Sequence, residues 1–354
     1  MGTVQGIRVS VDRGSTKLLN CLYRNVYGTS VTIAIVSTIL KASNFALDRA
    51  VQALLNGDLV AFPTETVYGL GGDALNEKSI ARIYKVKARP TNHPLIVHVS
   101  SIDKLDYWVS HLPEYALKLA ESFWPGPMTL LLPKTKLVKE IITGGQDCIG
   151  IRVPNQPFTS SLLKDFESQG GLGVVAPSAN RFGKVSPTSA SDVEEELEKY
   201  LDKNDLIIDG GLCQVGLEST IIDCRLSNPK ILRPGVITKE LIETVARKDL
   251  IETEDEVEVR VSGLLKSHYS PKAKIFLHGS PNRGDGFIAL NDVETPLGAI
   301  RLASPVDTTH YAQILYRALR LADQMQIDKV FVVPPFGDGL SIAIYDRLIR
   351  ASFD

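Results

Sequence analysis

The stretch LVAFPT at residues 59–64 is a short apolar run that leads into a Pro-Thr loop. A run of this length that ends at a turn is typical of a buried β-strand. Helical spacing of apolar residues occurs between such runs, at 45–55, 77–85 and 112–124. This alternation predicts an α/β fold. The later strand-like runs are PLIVHVS (94–100), MTLLLP (128–133), CIGIRVP (148–154), GVVAPS (173–178) and STIIDC (219–224).

A second, smaller α/β unit is predicted near the C-terminus. KIFLHGS (274–280), GFIALND (286–292) and KVFVVPP (329–335) have the pattern of strands, and 311–325 and 340–351 that of helices. Strand, loop and helix in succession indicate a small doubly wound domain of about 80 residues. We therefore divide the chain into an N-terminal extension (1–41), a main domain (42–248), a linker (249–273) and a C-terminal domain (274–354).

The composition is that of an ordinary globular protein: 354 residues, 44% hydrophobic, 23% charged, with a net charge of -2. No overall positive field exists to attract nucleic acid, so contact with a nucleic acid would need a local patch or another protein. The four cysteines form no CxxC pair, and the six histidines form no HxxxH or HExxH pair. We therefore expect reduced thiols, a cytoplasmic location and no metal site built from protein ligands alone.

The first 41 residues are basic and poor in acid, with five Lys or Arg against Asp12 alone. Such a start is found in organelle transit peptides and also in tails without a targeting role. The apolar run VTIAIVSTIL at 31–40 is too short for a bilayer, which takes about 20 apolar residues to cross. We expect no membrane association.

Cationic and hydroxyl side chains stand in the loops that follow the predicted strands. Lys87 and Arg89 would leave the same face of an extended backbone, and Pro90 favours that backbone at Arg89. In open α/β sheets such loops gather at one crevice, where guanidinium groups, hydroxyls and glycine-rich amides are suited to bind an anion. The other candidates in these loops are Arg152, Ser178, Asn180, Arg181, Lys184, Ser186 and Arg233.

Each candidate also has a simpler interpretation. Lys87 and Arg89 could form an exposed pair, SAN at 178–180 could cap a helix, and His98 could be a buried histidine on the face of its strand. The sequence has no GxxxxGK[ST], no GxGxxG after a strand and no GxSxG, which excludes the common P-loop, dinucleotide and hydrolase motifs. The residue pattern alone predicts a two-domain α/β protein that binds an anionic small molecule.

Several longer motifs occur in order: FPTETVYGLG (62–71), KARPTNHPLIVHV (87–99), WPGPMTLLL (124–132), IRVPNQP (151–157), APSANRFGKVSPT (176–188), GLESTIID (216–223), LRPG (232–235), HYSP (268–271) and GDGLSIAIYDRLIRAS (337–352). With these motifs the chain resembles the Sua5 branch of the Sua5/YrdC/YwlC family, the threonylcarbamoyl-AMP synthases, over roughly residues 38–354. The resemblance implies a twisted mixed α/β sheet with a large concave cavity. It also implies a small Rossmann-like C-terminal domain, joined by a linker that crosses the cavity mouth.

The resemblance further implies an activity. Members of the family make threonylcarbamoyl-AMP and pyrophosphate from L-threonine, bicarbonate and ATP with Mg²⁺. A downstream tRNA threonylcarbamoyltransferase complex then forms N6-threonylcarbamoyladenosine in tRNAs that read ANN codons. Lys87 and Arg89 would be the catalytic residues, holding the ATP phosphates. The other implied ATP-binding residues are His93, Cys148, Ser178, Asn180, Ser186, Arg233 and Tyr269, and the implied threonine-binding residues are Thr66, His98, Arg152, Ala176 and Ser219.

Two positions depart from the family pattern, since His93 replaces the usual asparagine and Cys148 a common threonine. An imidazole can still donate a hydrogen bond to phosphate. Two other functions are weighed against the synthase. One is carbamoyl transfer in hydrogenase maturation, whose enzyme also carries acylphosphatase and zinc-finger modules that this sequence lacks. The other is a non-catalytic RNA-binding module, which the acidic net charge and missing aromatic RNA motifs disfavour. Direct tRNA binding is expected to be weak or indirect.

Overall fold

The computed structural model describes residues 18–24, 30–36, 39–251, 259–263 and 269–352. Arg8, Arg13 and Lys17 of the predicted tail lie outside these residues, as does His268 of the HYSP motif. The described part of the tail forms an antiparallel pair of strands, β1 (Leu18–Arg24) and β2 (Ser30–Val36).

The main domain is built on one mixed sheet of ten strands. Its members are β3 (Ile39–Lys41), β4 (Val60–Phe62), β5 (Gly69–Asp73), β6 (Ile96–His98), β7 (Met128–Pro133), β8 (Cys148–Arg152), β9 (Val174–Val175), β10 (Leu206–Asp209), β11 (Thr220–Asp223) and β12 (Lys230–Arg233). They lie in the order β12-β11-β7-β8-β6-β9-β5-β4-β10-β3. The predicted α/β class is therefore confirmed. The edge strand β3 comes from the segment predicted as an N-terminal extension and pairs in parallel with β10.

The helices begin and end where the sequence supplies caps. Ser43 accepts a hydrogen bond from the amide of Ala46 at the start of the first helix, and Gly57 ends it in a left-handed conformation (φ 85°) that favours glycine. The predicted end of this helix at Gly57 is confirmed. The helices of the main domain are α1 (Asn44–Asn56), α2 (Glu77–Lys87), α3 (Glu114–Phe123), α4 (Glu140–Thr143), α5 (Pro157–Ser168), α6 (Ala190–Leu197) and α7 (Lys239–Ala246), with 3-10 turns at Ile102–Lys104 and Glu198–Tyr200.

Alternation along the central strands separates a core face from a polar face. On β8, Ile149 and Ile151 belong to the large hydrophobic core that α2 and α3 also enter. Arg152, the next residue, points to the opposite face, where it meets side chains of the loop after β4. At the end of β8, one face of the sheet is therefore a packed core, while the other carries polar side chains.

The C-terminal domain is a four-stranded parallel sheet in the order β13-β16-β14-β15. Its strands are β13 (Lys274–Phe276), β14 (Gly286–Ile288), β15 (Ile300–Ala303) and β16 (Lys329–Val332), and its helices are α8 (Thr308–Gln324) and α9 (Leu340–Ser352). Val67, Val185 and Leu217 of the main domain join its hydrophobic core. The predicted second α/β unit is confirmed, and it packs directly on loops of the large sheet.

Candidate active site

Lys87 is the last residue of α2, and the chain turns sharply behind it. Lys87 is helical and Ala88 takes a left-handed conformation (φ 49°), so the predicted extended backbone is wrong at Lys87. The helix runs two residues past its predicted end and carries Lys87 inward, where the side chain is 1% exposed. Its Nζ donates to the carbonyl oxygens of Ser178 and Asn180, each at 2.5 Å. Burial, and then the nearby Arg89, lower the pKa of this amine well below its usual value.

Arg89 is also buried, so the alternative of an exposed pair is wrong. Its Nη2 donates to the carbonyl of Pro94 at 2.9 Å and to Ser262 Oγ at 3.0 Å. Its guanidinium lies over the ring of Phe182, 5.5 Å from the centroid. Burial lowers the pKa of Arg89 to about 10, which leaves the group charged at neutral pH.

Arg233 ends β12 and reaches the same place from another strand. Its Nε and Nη2 donate to the carbonyl of Ser219 at 3.1 and 2.9 Å, and its Nη1 donates to the carbonyl of Ser262 at 2.9 Å. Ser262 therefore bridges Arg89 and Arg233. We call Lys87, Arg89 and Arg233 the three-cation cluster. Among the residues that the structure describes, no carboxylate forms an ion pair with any of them.

A second cluster lies on the polar face at β6 and β8, where His98 and Arg152 are partners in the strand register. Arg152 Nη2 forms an ion pair with Glu65 Oε1 at 2.8 Å and donates to Thr66 Oγ1 at 2.9 Å. Burial lowers the pKa of His98 to about 3, so its imidazole is neutral. We call Glu65, Thr66, His98 and Arg152 the charge-balanced cluster, because its one cation faces one anion.

Two of these groups keep unused hydrogen-bonding capacity. Within the described residues, His98 Nδ1 and Arg152 Nε are buried and have no hydrogen-bond partner. Buried polar atoms are rarely left in this state. Both side chains lie at the ends of adjacent strands, where a polar ligand could form hydrogen bonds with these two atoms.

Hydrogen bonds lead from the three-cation cluster to β7, the strand that pairs with β8. Arg233 Nη2 donates to Ser219 Oγ at 3.1 Å, and Ser219 Oγ lies 2.7 Å from Thr129 Oγ1. Thr129 and Arg152 stand beside the paired residues Leu130 and Ile151 on neighbouring strands. The sequence motifs thus converge on one region, instead of scattering over separate surfaces.

The remaining predicted residues of the loop after β9 have mixed placements. Ser186 is buried, and its hydroxyl donates to Glu218 Oε1 at 2.6 Å. Asn180 Nδ2 donates to the carbonyls of Arg181 and Lys184, so this side chain holds the loop in shape. Ser178 supplies its carbonyl to Lys87, and the amide of Ala176 donates to the carbonyl of Ile96.

The two departures from the family pattern differ in their surroundings. The carbonyl of His93 accepts from Arg89 Nε at 3.4 Å, and its ring meets Phe182 edge-on with centroids 5.1 Å apart. Burial, and then Arg89, lower the pKa of its imidazole. Cys148 instead lies in a small apolar cluster with Val261. Among the described residues, Cys148, Cys213 and Cys224 are free and buried.

Tyr269 stands at the edge of the described linker and is 1% exposed. Its backbone is left-handed (φ 62°), and its ring stacks on that of Tyr316 with centroids 5.8 Å apart. The guanidinium of Arg347 lies 5.3 Å from the centre of the Tyr269 ring. The C-terminal domain therefore fixes this tyrosine.

Four residues of the site were not singled out from the sequence. Glu65, Glu218 and Arg347 lie inside the quoted motifs, and membership in those motifs was the sequence signal that could have found them. Ser262 carries no local signal, because its partners Arg89 and Arg233 are distant in the chain.

The described residues also set limits on metals and membranes. Among them, no group of three or more His, Cys, Asp or Glu side chains converges to hold a metal ion. No helix in that part of the chain is both long enough and apolar enough to span a bilayer.

Comparison with known proteins gives a consistent result. A family model described as Telomere recombination (Sua5_yciO_yrdC) matches residues 52–235, and one described as Threonylcarbamoyl-AMP synthase, C-terminal domain, matches 237–352. The Threonylcarbamoyl-AMP synthase of Pyrococcus abyssi is 37% identical over 84% of this chain and 91% of its own length. That of Bacillus subtilis is 35% identical over 90% of this chain and 96% of its own length.

Solved structures agree with the sequence comparison. The crystal structure of P. abyssi Sua5 complexed with L-threonine has a TM-score of 0.79 and 33% identity to this chain. The match covers 89% of this chain and 97% of that one. The chain belongs to the threonylcarbamoyl-AMP synthase family.

Proposed function

We propose that this chain is an L-threonylcarbamoyladenylate synthase, which converts L-threonine, bicarbonate and ATP into threonylcarbamoyl-AMP and pyrophosphate. The observation that carries the proposal is the pairing of two unlike clusters on one face of the sheet. The three-cation cluster has no carboxylate partner among the described residues, whereas Arg152 is neutralised by Glu65. A triphosphate and an amino-acid zwitterion need these two different charge environments.

In this proposal L-threonine occupies the charge-balanced cluster. Arg152 binds its carboxylate, and Thr66 and the neutral His98 offer hydrogen-bonding groups nearby. Ser219 stands between the two clusters, and Ala176 forms an apolar wall. The relative from P. abyssi was crystallised with L-threonine, which supports an amino-acid site in this fold.

ATP is assigned to the three-cation cluster. Lys87 and Arg89 bind the phosphates, and Arg233 binds on the nucleotide side. An anion that takes the donors of Arg89 and Arg233 replaces the contacts they make with Ser262, so the segment at 259–263 shifts when ATP enters. The remaining assignments to ATP are His93, Cys148, Ser178, Asn180, Ser186 and Tyr269, and for Cys148 the contact would come from its backbone.

The chemistry requires positioning and charge stabilisation. The threonine amine and bicarbonate combine to a carbamate with loss of water. A carbamate oxygen then bonds to the α-phosphorus, the bond to the β-phosphate oxygen breaks, and pyrophosphate leaves. Negative charge grows on the phosphate oxygens, so fixed cations lower the barrier without a covalent enzyme intermediate. Mg²⁺, which would supply further positive charge at the phosphates, would be held by ATP, because the described residues offer no group of three ligands.

The product is a mixed anhydride that water destroys, so a buried site is suited to making it. We propose that it passes to a downstream tRNA threonylcarbamoyltransferase complex in the cytoplasm. In that case this chain needs little or no tRNA affinity of its own, in keeping with its net charge of -2.

The direct test mixes the pure protein with threonine, bicarbonate and Mg-ATP and measures threonylcarbamoyl-AMP by mass spectrometry. Product is expected only when all three substrates are present, and omission of threonine is the control. A folded protein that binds ATP and forms no adenylate under these conditions contradicts the proposal.

A further inference from the structure

A buried carboxylate joins the C-terminal domain to the nucleotide side of the site. Glu218 precedes Ser219, is 6% exposed, and accepts the hydroxyl of Ser186 at 2.6 Å. From the C-terminal domain, the Tyr316 hydroxyl donates to its Oε2 at 2.9 Å, and Arg347 Nε donates to the same oxygen at 2.9 Å. One side chain therefore contacts a proposed ATP ligand and two residues of the other domain.

Glu218 is held in its ionised form. Burial by itself raises the pKa of this carboxyl, but the guanidinium groups of Arg347 and Arg233 outweigh burial and lower the pKa to about 2. A charge buried to this degree needs its partners in fixed positions, because water cannot replace them. The position of Ser186 thus depends on the cation that faces Glu218 from α9.

Arg347 contacts two more segments beside the nucleotide side. Its Nη2 donates at 2.9 Å to the carbonyl of Pro234, the residue after Arg233. Its guanidinium lies against the ring of Tyr269. It is 1% exposed and lies on α9, which packs in the core of the C-terminal domain. Arg347 therefore contacts the segments that carry Arg233 and Tyr269 directly, and it reaches Ser186 through Glu218.

We infer that Glu218 and Arg347 are positioning residues for ATP, through which the C-terminal domain holds the nucleotide half of the site in its binding geometry. The inference rests on the proposed function. Neither residue is assigned a contact with substrate. Their side-chain contacts lead to the nucleotide side and not to the charge-balanced cluster, so their loss weakens ATP binding more than threonine binding.

The test measures equilibrium binding of ATP and of L-threonine by calorimetry for full-length wild type, Glu218→Gln and Arg347→Lys. Glu218→Gln is expected to weaken ATP binding by about tenfold, the size of one lost charge-assisted contact, and to leave threonine binding within about twofold. Arg347→Lys keeps the positive charge and loses the planar fork, so a smaller loss of ATP affinity is expected. Gln313→Ala is the matched control, since it removes an interdomain hydrogen bond, to the carbonyl of Gln214, that touches neither Glu218 nor Arg347.

If a variant unfolds cooperatively and binds ATP as tightly as wild type, the inference is overturned. The ion pair between Glu218 and Arg347 then contributes only to stability. An equal loss of affinity for ATP and for threonine also overturns the inference, because the substitution then disturbs the whole site. If Glu218→Gln does not fold, Arg347→Lys decides by the same two criteria. If the wild-type protein binds ATP but makes no adenylate, the proposed function is refuted, but the comparison of binding affinities still tests the inference. If the wild-type protein does not bind ATP, both the proposed function and the inference are refuted.

Discussion

The three-cation cluster and the charge-balanced cluster lie on the same sheet face but differ in whether a carboxylate compensates their positive charge. Lys87, Arg89 and Arg233 are held by neutral carbonyl and hydroxyl oxygens, so their positive charge stays available to an incoming anion. Arg152 faces Glu65, so its charge is already balanced. The partner of a buried cation, more than its presence, thus indicates which ligand it can bind.

The largest effect is expected from removing one of the three cations. Lys87→Ala and Arg89→Ala should each lower threonine-dependent pyrophosphate release by at least about 100-fold, as when a fixed donor to transition-state charge is lost. Lys85→Ala, an exposed residue of the same helix, is the control and should keep wild-type turnover. Turnover near the wild-type rate in both test variants would remove these residues from the mechanism.

On the other side of the comparison, Arg152→Gln should raise the KM for threonine by about 10–100-fold, since a hydrogen bond to a charged group contributes about 1.5–3 kcal/mol. The change leaves Glu65 without its cation, so the double variant Glu65→Gln/Arg152→Gln is needed to separate binding from folding. It should be more stable than the single variant in thermal unfolding and still bind threonine weakly. A double variant with normal threonine affinity contradicts the assignment.

The neutral state of His98 keeps the second cluster balanced and can be tested through stability. The unfolded imidazole gains a proton near pH 6.5, whereas the buried one stays neutral down to about pH 3. The unfolded state therefore binds more protons, and the free energy of unfolding decreases as the pH falls through this window. Between pH 6 and 5 the decrease should be about 1 kcal/mol larger in wild type than in His98→Gln, measured by urea denaturation. Parallel pH profiles in the two proteins would show that His98 titrates normally.

The smallest expected effect is a difference between the two clusters in how salt changes the KM of the substrate that each binds. Raising KCl from about 0.05 to about 0.5 M should raise the KM for ATP by roughly threefold, because the screening length shortens around an uncompensated cluster. The KM for threonine should change by less than about twofold, since a zwitterion in a balanced site has little net charge interaction to lose. An equal response of both constants would show that the two clusters do not differ in available charge.

Local patterns predicted the framework well because their causes are local. Ser43 and Gly57 mark the ends of α1 through capping and a left-handed turn, which depend on a few neighbouring residues. The helix α5 was not predicted, although Leu162, Leu163 and Phe166 show an apolar face once its boundaries are known. The geometry at Lys87 was predicted wrongly, because α2 runs two residues past its predicted end at Lys85 and includes Lys87.

By itself, the sequence determined the α/β class and the second small domain, since strand periodicity and turn residues are read from adjacent positions. It also singled out Lys87, Arg89, Arg152 and Arg233 as candidate cations. Only the tertiary structure decided which oxygen faces each cation. Glu65 meets Arg152, Ser262 meets Arg89 and Arg233, and Glu218 meets Arg347, across 87, 173, 29 and 129 residues of chain. Such partners are chosen by the path of the folded backbone, which no short window of residues contains.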